Sequence, residues 1–375
     1  MRRLLIAPLA ALACACSGPS GPKPAELPRL EHPAAVRQLW HAEIGTAESF
    51  VFSPALVEGS IYAASRYGTV RRLDAANGEE IWRASAGMEL SGGVGADART
   101  VAVASDKGEV VALDAETGKP RWRARVSSEV LAAPAVAAGM VLVRSLDNRV
   151  FAFDAADGKR HWVYQRAAAS LVIRTPAGVA IEGDTAFAAF AGGKLAAIAL
   201  SNGGQRWEAT VSLPKGATEL ERVTDVVGEP AVQGREVCAA SYQGRVACYE
   251  AASGRQVWAR EVSSITGVSL DARYAFVADD RGAVQAFDRS NGRSVWKQDK
   301  LANRQLSAPA PLGELVAVGD RDGYVHFLER ESGAFVARFS TDGGAVRAAP
   351  VPMPAGRGAR LLVQTQGGGL HALGL

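Results

Sequence analysis

One phrase recurs about every forty residues along this chain: an acid, three residues, a Gly, and then a Trp four positions further on. It reads Asp74-Ala-Ala-Asn-Gly78 with Trp82, Asp114-Ala-Glu-Thr-Gly118 with Trp122, and Asp154-Ala-Ala-Asp-Gly158 with Trp162. Later copies are Glu250 to Gly254 with Trp258 and Asp288 to Gly292 with Trp296. Two degraded copies fill the gaps: Ala199 to Gly203 with Trp207, and Glu329 to Gly333 with Ala337 in the Trp position. A fixed period of this length means stacked supersecondary units, each able to bury its apolar faces only against its neighbours.

Each unit reads as β structure. Upstream of the acid lie two short apolar or alternating runs split by a tight turn, as in Val101-Ala-Val-Ala104 and Val110-Val-Ala-Leu113 around Asp106-Lys-Gly108. Strand, Gly-containing turn and strand make a hairpin signature. The acid-to-Gly stretch is a second turn, where Gly supplies positive φ and the short polar side chain bonds its own backbone. The Trp-bearing run is a third strand, and a run such as Ala132-Ala-Pro-Ala-Val136 supplies a fourth. Four antiparallel strands per unit is a propeller blade. A Trp recurring at one blade position is expected to pack between neighbouring blades, with its indole N–H on a partner, rather than to stack on a ligand.

Seven units precede residue 340, and residues 360–373 supply two strands of an eighth that lacks its Trp strand. The missing strand sits at the other end, in Arg37-Gln-Leu-Trp40. An N-terminal strand that completes the last blade closes the ring and leaves no unpaired end. The expectation is an all-β chain with one eight-bladed β-propeller of four-stranded antiparallel blades over residues 35–375. A chain of 375 residues in a single domain is ordinary for a repeat array.

Residues 1–15 read as a lipoprotein signal peptide. Met1-Arg-Arg3 is a positive start, and residues 4–13 form an apolar run too short to span a bilayer. Small residues leading into a Cys resemble the bacterial lipobox, in which the Cys is acylated and becomes the first residue. Cys16 is the favoured site and Cys14 the alternative. Neither is followed by Asp, the inner-membrane retention signal of bacterial lipoproteins, so the expected location is the periplasmic face of the outer membrane, through a lipid anchor. An ordinary secretory signal is the competing reading. Residues 16–34 carry Pro at a density that blocks helix and sheet, and read as an extended tether. The formal charge of +3 falls to +1 without Arg2 and Arg3, which gives no reason to expect a nucleic-acid partner.

Two further cysteines, Cys238 and Cys248, flank the Tyr242-Gln-Gly244 turn at equal distance. A simple hairpin register sets them opposite each other, close enough for a disulfide in an oxidising compartment; a one-residue slip separates them. The chain offers little chemistry. Its five His residues show no metal-ligand spacing, and no nucleophilic triad, phosphate loop or paired-carboxylate arrangement stands out. Asp279-Asp280 and Asp320-Arg-Asp322 fall where other units have hairpin turns. No catalytic residue, metal or cofactor is expected.

The period breaks in two places. Trp162 to Trp207 is forty-five residues and Trp207 to Trp258 is fifty-one, so two consecutive connections between blades carry insertions. Insertions on a repeat scaffold map to loops, often on the binding face. The first contains Ser170-Leu-Val-Ile-Arg174, and the second runs from Leu213 to Pro230 with several acids. Apolar residues beside an Arg on one loop and acids on the other suit a protein-binding patch. The alternative is that Leu171 and Ile173 begin a strand and pack inward.

The repeat resembles that of the quinoprotein dehydrogenases, whose eight-bladed propellers bind pyrroloquinoline quinone. Those enzymes are longer and carry a vicinal Cys pair and calcium-ligating acids on inserted loops, which this chain does not offer. A lipobox, a Pro-rich tether, eight blades closed by an N-terminal strand and these two loops together resemble the BamB family, lipoproteins of the outer-membrane β-barrel assembly (BAM) machinery. The most telling stretches are Ser170 to Arg174 and Thr218-Glu-Leu-Glu-Arg-Val-Thr-Asp225, then Asp320-Arg-Asp-Gly-Tyr324 and Gly333-Ala-Phe-Val336. The resemblance implies a non-catalytic scaffold that docks on the periplasmic domains of BamA, the barrel-inserting subunit, and assists insertion of β-barrel proteins. Unfolded outer-membrane proteins are further candidate partners. It places contact roles on Leu171, Ile173 and Arg174 of the first loop and on Asp225 of the second. A second family acid falls on Val227 here, with Glu229 the nearby candidate replacement. A quinoprotein-like dehydrogenase and a generic periplasmic binding propeller are the alternatives.

Overall fold

The computed structural model describes residues 22–167, 171–354 and 358–375; Cys14, Cys16 and the signal segment lie outside them. The described residues form eight four-stranded antiparallel sheets. Blades 1 to 7 span residues 55–85, 92–125, 135–165, 179–210, 226–261, 268–298 and 310–340, each running outward from a central channel in chain order. Blade 8 takes Val351–Met353, Arg360–Gln364 and Gly369–Gly374 from one end of the chain and Arg37–Glu43 from the other. That last strand pairs antiparallel with its neighbour from Arg37 opposite Gly374 to Glu43 opposite Gly369, closing the ring as the sequence predicts.

Position in the blade explains each strand's composition. The second and third strands are sandwiched between neighbouring blades on both faces, so they read as unbroken apolar runs; Thr100–Ala104 is buried along its whole length. The outermost strands meet solvent on one face and alternate, as in Pro120–Arg125. The innermost strands are short because the ring is narrow there, and the run around Ala132 to Val136 starts the next blade as Ala135–Ala137 rather than finishing its own.

The recurring phrase is a joint between blades. Every Trp reaches into the following blade and donates its indole N–H to the carbonyl of the residue after that blade's acid position. The seven bonds run from Trp40 to Ala75, then in turn to Ala115, Ala155, Leu200, Ala251, Arg289 and Arg330, at 2.6–3.2 Å. The ring lies under that turn's Gly, where a Cβ would stand only 2.5–2.8 Å from indole carbons. Blade 8 gets its outer strand from residues 37–43, so it has no such turn to receive a Trp from blade 7. Ala337 therefore stands at that position, and seven Trp serve seven turns.

The described part of the Pro-rich segment is laid along blade 7. Ala25 donates to the Ala302 carbonyl at 2.9 Å, and Ala34 to that of Val336 at 2.9 Å. Arg304 donates to the Ala25 carbonyl at 3.1 Å and Arg338 to that of Pro28 at 3.0 Å. Leu27 packs against the cluster containing Trp296, Leu301 and Leu306. Arg304 is itself held by Asp320 at 2.6 Å and Asp322 at 2.7 Å, and buried His326 bridges Asp320 and Arg338. In blade 5, Cys238 and Cys248 pair directly across adjacent strands and are joined as a buried disulfide.

Candidate partner-binding site

The connections between blades share one face with the hairpin tips that join second and third strands, because strand direction alternates across each blade. Both insertions lie on this face, between blades 3 and 4 and between blades 4 and 5. Residues 171–176 precede the first strand of blade 4, which starts at Val179, so Leu171 and Ile173 do not begin a strand. Leu171 is 44% exposed and Val172 lies open beside it, whereas Ile173 is half-buried.

Asp225 explains why the first loop keeps this shape. It is buried, and its carboxylate accepts the backbone N–H of Ile173 at 2.7 Å and of Gly192 at 3.0 Å. The acid of the second insertion thus holds the backbone of the first. A parallel bridge between Ala177 and Gly228 continues the tie, with Gly178 and Gly228 each donating across it at 3.0 Å. Asp225 also supplies negative charge near buried Arg144, whose guanidinium is pushed down to about 10 by desolvation and partly restored by Asp225 and Asp147.

Arg174 leaves the loop toward the channel. Its guanidinium grips Glu129, from the connection between blades 2 and 3, in a bidentate pair, and lies 5.3 Å from the centre of the Phe50 ring. That bond to Glu129 raises the guanidinium above its ordinary range. The other face of the patch comes from the second insertion, where Leu213 is 59% and Leu220 73% exposed. Glu221 is spent inside this loop: its carboxylate accepts the N–H groups of Ala217 at 2.8 Å and Thr218 at 3.1 Å, which hold it below the usual carboxylate range.

The expected residues therefore divide. Leu171 and Arg174 sit at the surface, Ile173 half-way in, and Asp225 beneath them as the seat of the loop. Val227 is buried and offers nothing to a partner, and Glu229 lines the channel instead of joining the patch. Sequence reasoning missed Glu129 and Phe50, which lie in connections of ordinary length. It also missed Leu213 and Leu220, whose signal was present: bare leucines in a polar, Pro- and Gly-containing insertion. Among the described residues, no group of three or more His, Cys, Asp or Glu is placed to hold a metal ion.

An eight-bladed propeller whose special features are two interlocked loops on one face is a binding scaffold. The comparisons with known proteins agree. The family profile described as "Outer membrane protein assembly factor BamB" matches residues 66–298. The protein of that name from Bordetella pertussis is 45% identical over 349 residues, covering 93% of this chain and 89% of that one. Its counterpart from Burkholderia pseudomallei is 40% identical over 360 residues, covering 96% and 93%. Among solved structures, BamB from Moraxella catarrhalis superposes with a TM-score of 0.82 at 27% identity, covering 91% of this chain and all of that one. The quinohemoprotein alcohol dehydrogenase of Comamonas testosteroni reaches 0.71 at 13% identity and shares the fold alone. The chain belongs to the BamB family of outer membrane protein assembly factors.

Proposed function

We propose that this protein is the lipid-anchored scaffold of an outer-membrane β-barrel assembly complex, docking on the periplasmic domains of BamA through its two interlocked loops. The observation that carries the reading is the bond from Ile173 to Asp225: one insertion seats the other, so Leu171, Val172 and Arg174 are presented in a fixed arrangement. A preformed apolar patch next to a guanidinium binds a protein surface with little ordering cost. In this reading, Arg174 exchanges Glu129 for, or shares it with, groups of the partner. The lipid anchor is Cys16, with Cys14 the alternative, and it holds the propeller at the periplasmic face of the outer membrane. The test is capture of BamA from detergent-solubilised membranes by the wild type and by Arg174→Ala, both checked by circular dichroism. Capture by the wild type and a large loss in the folded variant is expected. Equal capture moves the site elsewhere on the propeller; no capture by either rejects BamA as the partner.

A further inference from the structure

Where the connections between blades converge, the channel widens into a cavity of about 390 Å³ that opens on the face bearing the two loops. Much of its wall is apolar, built from Phe50, Val51, Leu131, Pro176, Ile265 and Leu306. Two guanidiniums reach it, those of Arg174 and Arg347, together with the carboxylate of Glu48, which is engaged by Arg66 at 3.8 Å and by the Tyr67 hydroxyl; the circumstances of the two cations differ. Arg174 is neutralised by Glu129. Arg347 has no carboxylate within 4.0 Å among the described residues, and its side chain donates to the neutral Oε1 of Gln305 at 2.6 Å. Burial lowers the affinity of Arg347 for its proton, as does nearby Arg321, whose own charge is offset by Asp322 at 3.7 Å. A cation partly withdrawn from water without a counter-charge is unfavourable until an anion joins it.

Glu229 and Arg347 both line a deeper cavity of about 260 Å³, but they do not pair. Glu229 is exposed to the channel, and desolvation by the surrounding ring raises its carboxyl to about 7, so it is only a partial counter-charge there.

We propose that Arg347 and the apolar wall around it form a binding site for an acidic side chain of a partner polypeptide, carried beside an apolar residue. The carboxylate meets the guanidinium in the one-to-one charge match that a phosphate dianion would exceed. The apolar neighbour covers Phe50, Leu131 and Leu306. The inference rests on the proposed function only in that this face receives a polypeptide; the identity of that polypeptide does not enter.

The probe is a pair of short peptides, acetyl-Phe-Glu-Leu-amide and its Gln counterpart, titrated calorimetrically into the mature full-length protein in detergent. Acetyl-Gln-Phe with a free carboxyl end serves as a third ligand, to separate a side-chain carboxylate from a chain end. The wild type is expected to bind the Glu peptide about tenfold more tightly than the Gln peptide, as one charge-assisted contact implies. Arg347→Gln removes that preference and Arg347→Lys keeps part of it. The readout is a ratio within one preparation, so a variant that folds incompletely still reports it. Equal binding of the Glu and Gln peptides overturns the proposal, as does a preference that survives Arg347→Gln. Tighter binding of the free-carboxyl peptide overturns the side-chain assignment, and equal competition by inorganic phosphate overturns the polypeptide assignment. Because BamA is absent from this experiment, its outcome is independent of the capture assay.

Discussion

Asp225→Ala separates the seating of the first loop from the chemistry displayed on it, because no surface residue of the patch is changed. The wild-type carboxylate is 5% exposed and accepts two backbone amides, from Ile173 at 2.7 Å and Gly192 at 3.0 Å. Hydrogen bonds to a charged group contribute about 1.5–3 kcal/mol each, so losing both weakens the seat by roughly 3–6 kcal/mol. Arg144 also loses part of the negative charge that offsets its burial. The blades do not lose all of this, because the loss is capped once residues 171–174 open as a local unit. Global stability is expected to fall by about 1–3 kcal/mol, while loop opening becomes more than about a hundredfold more frequent. Asp225→Asn keeps one acceptor oxygen and is expected to show about half the effect. Hydrogen exchange at the Ile173 and Gly192 amides reads the seat directly, and BamA capture with Arg174 intact reads its consequence. If both amides exchange as in the wild type and capture is undiminished, the loop holds its shape without Asp225 and the seating argument is wrong.

Three further outcomes follow from the joints, the strap and the buried histidines. Gly158→Ala places a Cβ 2.6 Å from Trp122 at φ +75°, whereas Gly139→Ala meets nothing within 4 Å at the same φ. Urea unfolding should show a loss of about 1 kcal/mol for Gly139→Ala and about 2–4 kcal/mol for Gly158→Ala; equal losses would mean that the Trp does not constrain the turn. Arg338→Gln removes the bond to the Pro28 carbonyl and should raise hydrogen exchange across residues 25–34 without loosening the blades; unchanged protection there would show that Arg338 does not hold the segment. His371 is pushed down to about 4, first by burial and then by the neighbouring His41, and burial lowers His326 as well. A group with a depressed folded-state value resists protonation, so its contribution is complete above pH 6.5 and is lost as pH falls toward that value. For His371 this reaches roughly 3 kcal/mol near pH 4. Denaturant midpoints from pH 7.5 to 4.5 should decline less steeply in His371→Gln than in the wild type, and parallel slopes would refute the assignment.

The blades were legible because a tight turn leaves few choices: positive φ calls for Gly, and a period near forty repeats that demand. What the Trp does was only half legible. The sequence places six of the seven Trp residues four positions after a Gly of their own copy, but the Gly each packs under belongs to the next copy, a relation that appears only when blades stack. The same reason hid the meaning of Ala337, which looks like decay in the repeat and is instead the position with no turn to fill.

The site divides along the same line. Insertion lengths pointed to two connections, since extra residues cannot enter a blade without breaking its pairing, and the structure puts both on one face and ties them together. Which residues cooperate across connections was not legible: Glu129 and Arg174 lie forty-five residues apart, and Ile173 and Asp225 fifty-two. An acid in a loop reads as free charge, yet Asp225 is buried as an acceptor and Glu221 closes its own loop. Arg347 gave no signal, because its connection has ordinary length and any Arg in a loop passes for a solvated cation. The Pro-rich segment shows the limit most clearly. Its composition specifies extended backbone, but its seat on blade 7 is made largely through its own carbonyls at positions 23, 25 and 28. Every residue type offers a carbonyl, so only the receiving side chains, Asn303, Arg304 and Arg338, can specify such a contact, and they lie about 280 to 310 residues away.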